Sequence, residues 1–567
     1  MKIIKFILVY IFFPVLLFSQ KNLPPDYFTS PLPIPLKPAA LFGDIRPNHF
    51  HSGCDLSTNG LEGMDVYSAA DGYISRIKIA PGGYGNALYI THPGGYVTVY
   101  GHLRNYREDI QKYIRKNQYE KESFEIELFP PREMFPVKKG DFVAKSGNTG
   151  NSFGAHLHFE VRDSASEMPI NPMLFSFNMP DKTAPHFTGI KVYPIHHEGL
   201  VDGKDEAAYF TIYRYGAGYR IAHNGPFQLS GRIGFGIIAS DKIDDDPGDF
   251  GIFGIEMLVD HVFRFMEQKD VLSFDETRGV NDHIDYQSYK TNYTVIEKCF
   301  QSPNGHLMMN KSQESGLVFF NDTLAHSATI MIKDVRGNTA TLDFDIQSSP
   351  FNIKVGAQNA DHVFLWNVTD SAEWSTSKNQ ASQENFKVKF PIGSLFDTLY
   401  FHWSVENYTY SKLFHLSDPF IPLKSAYTLS IEPNAGLTPE LQPKALIVAV
   451  DKSGNRSGLI TTYENGFLIT KPVVFGDFYV DVDTEPPTIE ELAPNADGMF
   501  QFKIADALSG IKSYPAVLTD KWILMNLDGK TGILTQAEKI DIPENSHLVL
   551  TVTDQKDNVK VLSLRLR

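Results

Sequence analysis

Residues 87–103 read Ala87-Leu-Tyr-Ile-Thr-His92-Pro-Gly-Gly95-Tyr-Val-Thr-Val-Tyr100-Gly-His102-Leu103. Two β-favouring runs, Ala87–His92 and Tyr96–Tyr100, flank Pro93-Gly94-Gly95, and that pattern predicts an antiparallel hairpin. A strand period of two puts Thr98, Tyr100 and His102 on one side and Val97 and Val99 on the other. The flanking sequence has the same texture. Pro81-Gly82-Gly83 and Ser146-Gly147-Asn148-Thr149-Gly150 punctuate short alternating runs, so residues 40–165 read as strands and turns. One segment departs from this. Between Asn105 and Lys121 the chain is charged, with Tyr106, Ile110, Tyr113 and Ile114 at helical spacing. It reads as a helical insertion near 104–135, serving as a lid, a docking arm or a plain surface excursion.

The hairpin ends in a histidine, and two further clusters match it: His51-Ser-Gly-Cys-Asp55 and His156-Leu-His158-Phe-Glu160. On a strand His156 and His158 project together, and His51 and Asp55 do so too if that segment is extended. Two imidazoles and a carboxylate converging on one groove suit a tetrahedral zinc site whose fourth position stays open, the condition for hydrolysis rather than a purely structural metal. Cys54 lies between two of these residues, but an extended chain points it to the opposite face, where it reads as a small buried thiol.

His-x-x-x-Asp, then Tyr-Gly-His-Leu, then Gly-Asn-Thr-Gly followed by His-Leu-His-Phe-Glu resembles the lysostaphin/LytM-type zinc metallopeptidases, which cleave peptide cross-links in peptidoglycan. Gly82-Gly-Tyr-Gly-Asn86 and Val137-Lys-Lys-Gly-Asp141 agree with it, and the likeness covers roughly residues 40–165. It implies a small antiparallel β-sheet bearing an open groove, with His51, Asp55 and His158 as ligands of Zn2+. It implies that His102 and His156 are the non-ligating catalytic pair, His102 as the favoured base and His156 as donor to the oxyanion or leaving amine. His49, also two residues from His51, is expected to line the groove or support a ligand. Arg46 and Asn86 are candidates for substrate binding or for structural roles.

Bulk properties bound the rest. The 567 residues suffice for about three to five domains. A formal net charge of -15 argues against nucleic acid or an anionic membrane as partner. The start, MKIIKFILVYIFFPVLLFSQ, has two lysines before a short apolar run and reads as a signal peptide over 1–20, so the mature chain is expected in the periplasm or outside the cell, without a transmembrane segment. The two cysteines, Cys54 and Cys299, fall in different expected domains and are expected to stay unpaired.

Beyond the expected peptidase domain, 21–180, the sequence is β-rich and carries a weak repeat. Asp334-Val-Arg-Gly-Asn338, Asp451-Lys-Ser-Gly-Asn455 and Asp554-Gln-Lys-Asp-Asn558 each sit between alternating runs, which is hairpin chemistry. Asp181-Lys-Thr-Ala-Pro185 and Asp483-Thr-Glu-Pro-Pro487 read as linkers. The expected fold class is therefore mainly β, a small antiparallel β-sheet peptidase domain followed by Ig-like β-sandwich modules at 181–347, 348–483 and 484–567. His196-His197-Glu198 reads as a solvated loop. The run Asp241-Lys-Ile-Asp-Asp-Asp-Pro-Gly-Asp249 reads as a solvated acidic loop, with calcium as the alternative.

The expectation is thus an exported zinc endopeptidase acting on peptidoglycan stem peptides or cross-links, with envelope partners met through the C-terminal modules. The competing readings are a non-catalytic LytM-like regulator of another wall hydrolase, and an adhesive envelope protein that works through its β-sandwiches.

Overall fold

The computed structural model describes residues 27–566 apart from 176, 178, 217, 245–246, 353–358, 376–385, 541 and 544. The expected signal peptide lies outside the described residues, as do Asp245 and Asp246 of the acidic run. No helix among the described residues is long and apolar enough to cross a membrane.

The chain is mainly β. Its first sheet has nine strands, seven of which form the path that positions the histidines. In chain order these are β1 (Pro38–Ala40), β2 (Cys54–Ser57), β3 (Gly72–Ile79), β4 (Asn86–His92), β5 (Tyr96–Gly101), β6 (Ile126–Leu128) and β7 (His156–Asp163). They lie in the order β1-β2-β7-β5-β4-β3-β6. The hairpin is present as β4 and β5, with His92 opposite Tyr96. The helical insertion is α1 (Glu108–Lys121), which buries Ile110, Ile114 and Gln118.

One face of this sheet packs into an apolar core that includes Leu88, Ile90, Tyr96, Tyr100, Leu157, Phe159 and Val161. Ile243, Phe250, Leu272, Val280, Leu307 and Met309, far along the chain, join the same core. The next sheet, of eleven strands between His186 and Ser348, encloses its own core but is seated on the first through these side chains. Two five-stranded sheets enclose a third core spanning Phe364–Val480, and a four- and a five-stranded sheet enclose a fourth spanning Phe502–Val552.

The three Asp-to-Asn repeats form the same turn. In each, the Asp carboxylate accepts backbone N–H groups two and four residues on, and the Asn Nδ2 closes on its other oxygen. An Asp used this way satisfies backbone donors that the tight turn would otherwise strand.

Two strands of the second sheet, Val262–Gln268 and Glu297–Lys298, contribute glutamates to a buried ionic cluster. Lys269 Nζ is 3.1 Å from Glu267 Oε1 and 2.8 Å from Glu297 Oε2, and His283 Nε2 is 3.2 Å from Glu267 Oε2 and from Glu297 Oε2. Glu267, His283 and Glu297 could by themselves hold a metal, but the Lys269 ammonium already supplies the cation among them. Burial pulls His283 down, yet the charges and hydrogen bonds of Glu267 and Glu297 outweigh it and push the ring up to about 9. A folded-state value above the unfolded one stabilises below about pH 6.5, and that stability is lost as pH rises through about 9. Melting curves of the parent are therefore expected to fall across this window by an amount on the order of a few kcal/mol. His283→Gln should flatten the fall, and an unchanged slope in that variant would contradict the account.

Candidate metal centre

Strand β7 lies between β2 and β5, so all three histidine-bearing segments meet at neighbouring strands. Register sets His158 opposite Asp55 on one side and opposite Gly101 on the other. The period of two sends Leu157, Phe159 and Val161 into the core and puts His156, His158, Glu160 and Arg162 on the other face. Cys54, opposite Phe159, is a buried free thiol on the core side.

His51 and His102 reach this face by means that strand periodicity does not describe. The segment 51–55 is not one extended run: the strand begins at Cys54, after a bend at Gly53. His51 is instead held by its backbone N–H, which donates to Asp44 O at 2.9 Å, and by its carbonyl, which accepts from Gly43 N at 2.8 Å. Gly53 is required for space, because a Cβ there would stand 2.5 Å from Phe159 O and 2.8 Å from Glu160 Cγ. Gly53→Ala must push strand β7 away and is expected to cost about 1–3 kcal/mol, read as a lowered melting temperature. A variant that melts with the parent would show that the strand yields freely.

Alternation also misplaces His102. Tyr100 points into the core, where its hydroxyl accepts from Ala69 N–H, so strict alternation would send His102 there too. Strand β5 stops at Gly101, and His102 adopts φ +60°. A left-handed backbone is uncommon for a residue with a side chain, and where it occurs it re-aims that side chain at some cost in strain. The ring turns toward His156 and His158, with centroids 4.8 and 5.7 Å away.

Each of the four rings has one nitrogen bound to an acceptor outside the cluster. His51 Nδ1–H donates to Leu41 O at 2.7 Å, His102 Nδ1–H to Thr149 O at 2.8 Å and His156 Nδ1–H to Gly154 O at 2.8 Å. His158 uses the opposite nitrogen, donating from Nε2 to Glu160 Oε1 at 2.8 Å. The carbonyl acceptors fix the tautomers, because a carbonyl accepts only from N–H. His51 Nε2 and His158 Nδ1 therefore present lone pairs, yet they stand 3.1 Å apart, each beside Asp55 Oδ1 at 3.1 and 2.9 Å. His156 Nε2 follows at 3.3 Å from the same oxygen. Two facing lone pairs and a carboxylate oxygen with no N–H among them lack only a cation. One ligand atom from each of His51, Asp55 and His158 lies within 4.8 Å of the others, and this donor set fits a divalent metal.

With no cation bound, protons would take its place, turning those lone pairs into N–H donors to Asp55, and the charges below belong to that ion-free state. Burial raises the Asp55 carboxyl, but the charge of His51 and hydrogen bonds from His156, His158 and His51 hold it far below the usual carboxylate range. Burial lowers His158, while Asp55 and Glu160 outweigh it and push the ring up to about 9. Burial, with the neighbouring His158 and His156, brings His102 down to about 3, so that ring is neutral at pH 7.

Support for His158 forms a buried network. Glu160 Oε1 accepts from Ser52 Oγ and Tyr84 OH, both at 2.6 Å, and Oε2 accepts from Arg162 Nε at 2.6 Å. Fixing the ring's tautomer this way also raises the basicity of its other nitrogen. Sequence reasoning gave Glu160, Arg162, Ser52 and Tyr84 no role. The polar alternation His156, His158, Glu160, Arg162 on one strand was the available signal.

Of the remaining candidates, Arg46 Nη2 lies 3.5 Å from Asp55 Oδ2, at the edge of the cluster. Asn86 Nδ2 donates to Leu103 O and so holds the turn after β5 rather than facing the groove. His49 is exposed, with Nδ1 bound to Pro47 O, and is not brought into the cluster. His196 and His197 lie not in a loop but inside strand His186–Val201, where the register breaks between Pro194 and Gly199 and both take left-handed backbone.

The insertion helix packs away from the histidines, against the last sheets of the chain. Tyr119 meets Trp522 edge-on at 5.4 Å, and Arg115 Nη2 donates to Ala537 O. From the same region Lys530 Nζ donates to Asn148 O at 2.6 Å and Ser152 O at 3.0 Å. Those carbonyls belong to the loop that supplies Thr149 O and Gly154 O to His102 and His156. Of the roles open to the insertion, docking is the one these contacts match.

The family model for peptidase family M23 matches residues 49–119, which hold His51, Asp55 and His102, while His156 and His158 lie beyond the matched stretch. A Zu5-like domain model matches residues 371–483. An uncharacterized metalloprotease of Haemophilus influenzae is 34% identical over 131 residues, 23% of this chain and 21% of that protein. The DD-carboxypeptidase/endopeptidase Mpg of Neisseria meningitidis is 31% identical over 133 residues, 24% of each chain. The peptidoglycan DD-endopeptidase ShyB of Vibrio cholerae is 33% identical over 111 residues, 20% of each chain. The chain thus spans about a fifth to a quarter of the length of these curated relatives. Metal-compatible ligands on a β-sheet, a matching family model and metalloprotease relatives lead to one conclusion: the chain carries a peptidase family M23 domain.

Proposed function

We propose that this chain is an exported zinc-dependent metalloendopeptidase that hydrolyses peptide cross-links of peptidoglycan. One observation carries the proposal: three imidazoles, His51, His156 and His158, each with one N–H spent on an outside acceptor, bring their free nitrogens to within 3.3 Å of a single Asp55 oxygen, and the ring of a fourth, His102, packs against two of them. His51, Asp55 and His158 would hold Zn2+, which when bound supplies Lewis acidity to a carbonyl and acidifies water. His102 and His156 remain for proton transfer. Their Nδ1–H groups are committed to carbonyls, so each must first take a proton at Nε2 before giving one from it. His102, whose Nδ1–H is tied to Thr149 O, presents Nε2 as the acceptor for the water's proton. His156, with Nε2 at 3.3 Å from Asp55 Oδ1, has a carboxylate placed to balance a proton there and is suited to donate to the oxyanion or leaving amine.

Peptidoglycan as substrate is supported by the relative named as a peptidoglycan DD-endopeptidase, and export by the lysine-flanked apolar start of the sequence. The parts of the chain beyond 180, read as modules at 181–347, 348–483 and 484–567, would place the enzyme in the envelope. Incubating the mature chain with purified cross-linked muropeptides, with and without a chelator, tests the proposal. Cleavage that the chelator stops and zinc restores is expected. A metal-loaded chain that cleaves nothing but stimulates a second hydrolase would establish the regulator reading instead.

A further inference from the structure

Three strand ends of the second sheet bring together carboxylates that the proposed peptidase chemistry does not use. Asp181 precedes strand His186–Val201, Asp241 follows strand Phe227–Ser240, and Asp334 opens the turn between Ala325–Lys333 and Thr339–Ser348. One oxygen from each lies within 4.8 Å of the others. A fourth carboxylate, Asp244, stands beside Asp181 and accepts from Thr183 Oγ1.

Like charges this close are unfavourable unless a cation joins them. Among the described residues no basic side chain forms an ion pair with Asp181, Asp241 or Asp334. Lys242 turns to Asp249 at 3.0 Å, and Arg336 donates to the carbonyls of Met173, Phe177 and Met179. A second observation is independent of the crowding. Asp241 is only 3% exposed, and its Oδ1 is buried with no hydrogen-bond partner among the described residues. A buried carboxylate oxygen left bare is a costly arrangement that a metal ligand would resolve.

We propose that Asp181, Asp241 and Asp334 bind one calcium ion. The donors are all oxygen and all hard, which suits calcium and not the nitrogen-rich preference of the histidine site, so the two sites do not compete for one metal. The ion would tie three strand ends together beside Arg336, whose guanidinium grips the carbonyls at the end of the peptidase segment. It would thereby stiffen the junction between the first and second sheets.

A related arrangement in the same chain sharpens the assignment. Asp483, Asp506 and Asp554 occupy the corresponding place near the last sheets, and Asn558 Nδ2 donates to Asp483 O just as Asn338 Nδ2 donates to Asp181 O. Asp181 and Asp334, like all three carboxylates of this second trio, accept backbone N–H groups, but the second trio has no counterpart to the bare Asp241 Oδ1, and Lys444 Nζ bonds Asn558 Oδ1 and Lys556 O beside it. No ion is assigned to that trio. The third turn, at Asp451, is exposed and belongs to no such group among the described residues.

Equilibrium dialysis of the whole mature chain against radioactive calcium tests this, with thermal melting as a second reading. The parent is expected to bind one calcium at free concentrations up to about 1 mM, the range of extracellular modules, and to melt several degrees higher in its presence. Asp241→Asn should lose both effects, whereas Asp451→Asn should keep them. Asp181→Asn, at a partly exposed position, gives the same reading if Asp241→Asn does not fold. No bound calcium in the parent, a full equivalent retained by the site variants, or magnesium bound equally well would overturn the proposal.

Discussion

Replacing His158 by alanine is expected to remove zinc retention and reduce muropeptide cleavage by more than about 10³-fold, roughly 4 kcal/mol of transition-state stabilisation. Three features make this side chain the one the site can least spare. It is the central ring of the cluster, 3.1 Å from His51 Nε2 and 2.9 Å from Asp55 Oδ1. Its other nitrogen is gripped by Glu160, so neither water nor a neighbouring imidazole can reproduce its aim. It also sits on β7, locked between β2 and β5, where backbone movement cannot bring a substitute ligand. Zinc content by elemental analysis and cleavage by chromatography check this. A His158→Ala chain that holds one zinc and cleaves at the parent's rate would refute the ligand assignment.

Replacing His102 by alanine is the second large effect, and it should separate chemistry from metal binding. His102 is not among the three clustered ligand atoms, so zinc retention should match the parent. Losing a positioned proton acceptor should lower kcat by about 10²–10⁴-fold, with KM little changed. The left-handed backbone at 102 becomes no easier for alanine, so the turn is retained and the loss reads the ring itself. Parent-like turnover would remove His102 from the mechanism, and loss of zinc along with activity would make it part of the metal site.

What the sequence made legible follows from which forces are local. The hairpin of β4 and β5, the helix in the 104–135 insertion and the three Asp-to-Asn turns are set by alternation, helical spacing and turn chemistry within a few residues. The projection of His156 and His158 to one face is equally local. The positions of His51 and His102 were not legible in this way. Periodicity placed both on extended strands, whereas a bend made possible by Gly53 and a left-handed residue after Gly101 do the positioning. Those choices are forced by long-range packing, the close approach of Phe159 O to Gly53 and of His158 to Gly101. The Glu160 network is also long-range, since Ser52 and Tyr84 meet it from 108 and 76 residues away. The same is true of the core shared between the first sheet and residues 243–309, and of Lys530 gripping the loop beside His102 and His156. Neither leaves a mark in local pattern.

The most direct test of the central claim is crystallographic. Crystals of the zinc-loaded chain, measured just above and just below the zinc absorption edge, should give one anomalous difference peak in the first sheet, within bonding distance of His51 Nε2, Asp55 and His158 Nδ1, with His102 and His156 left uncoordinated. A peak elsewhere, no peak in a chain that cleaves muropeptides, or a fourth protein ligand closing the coordination shell would contradict the account.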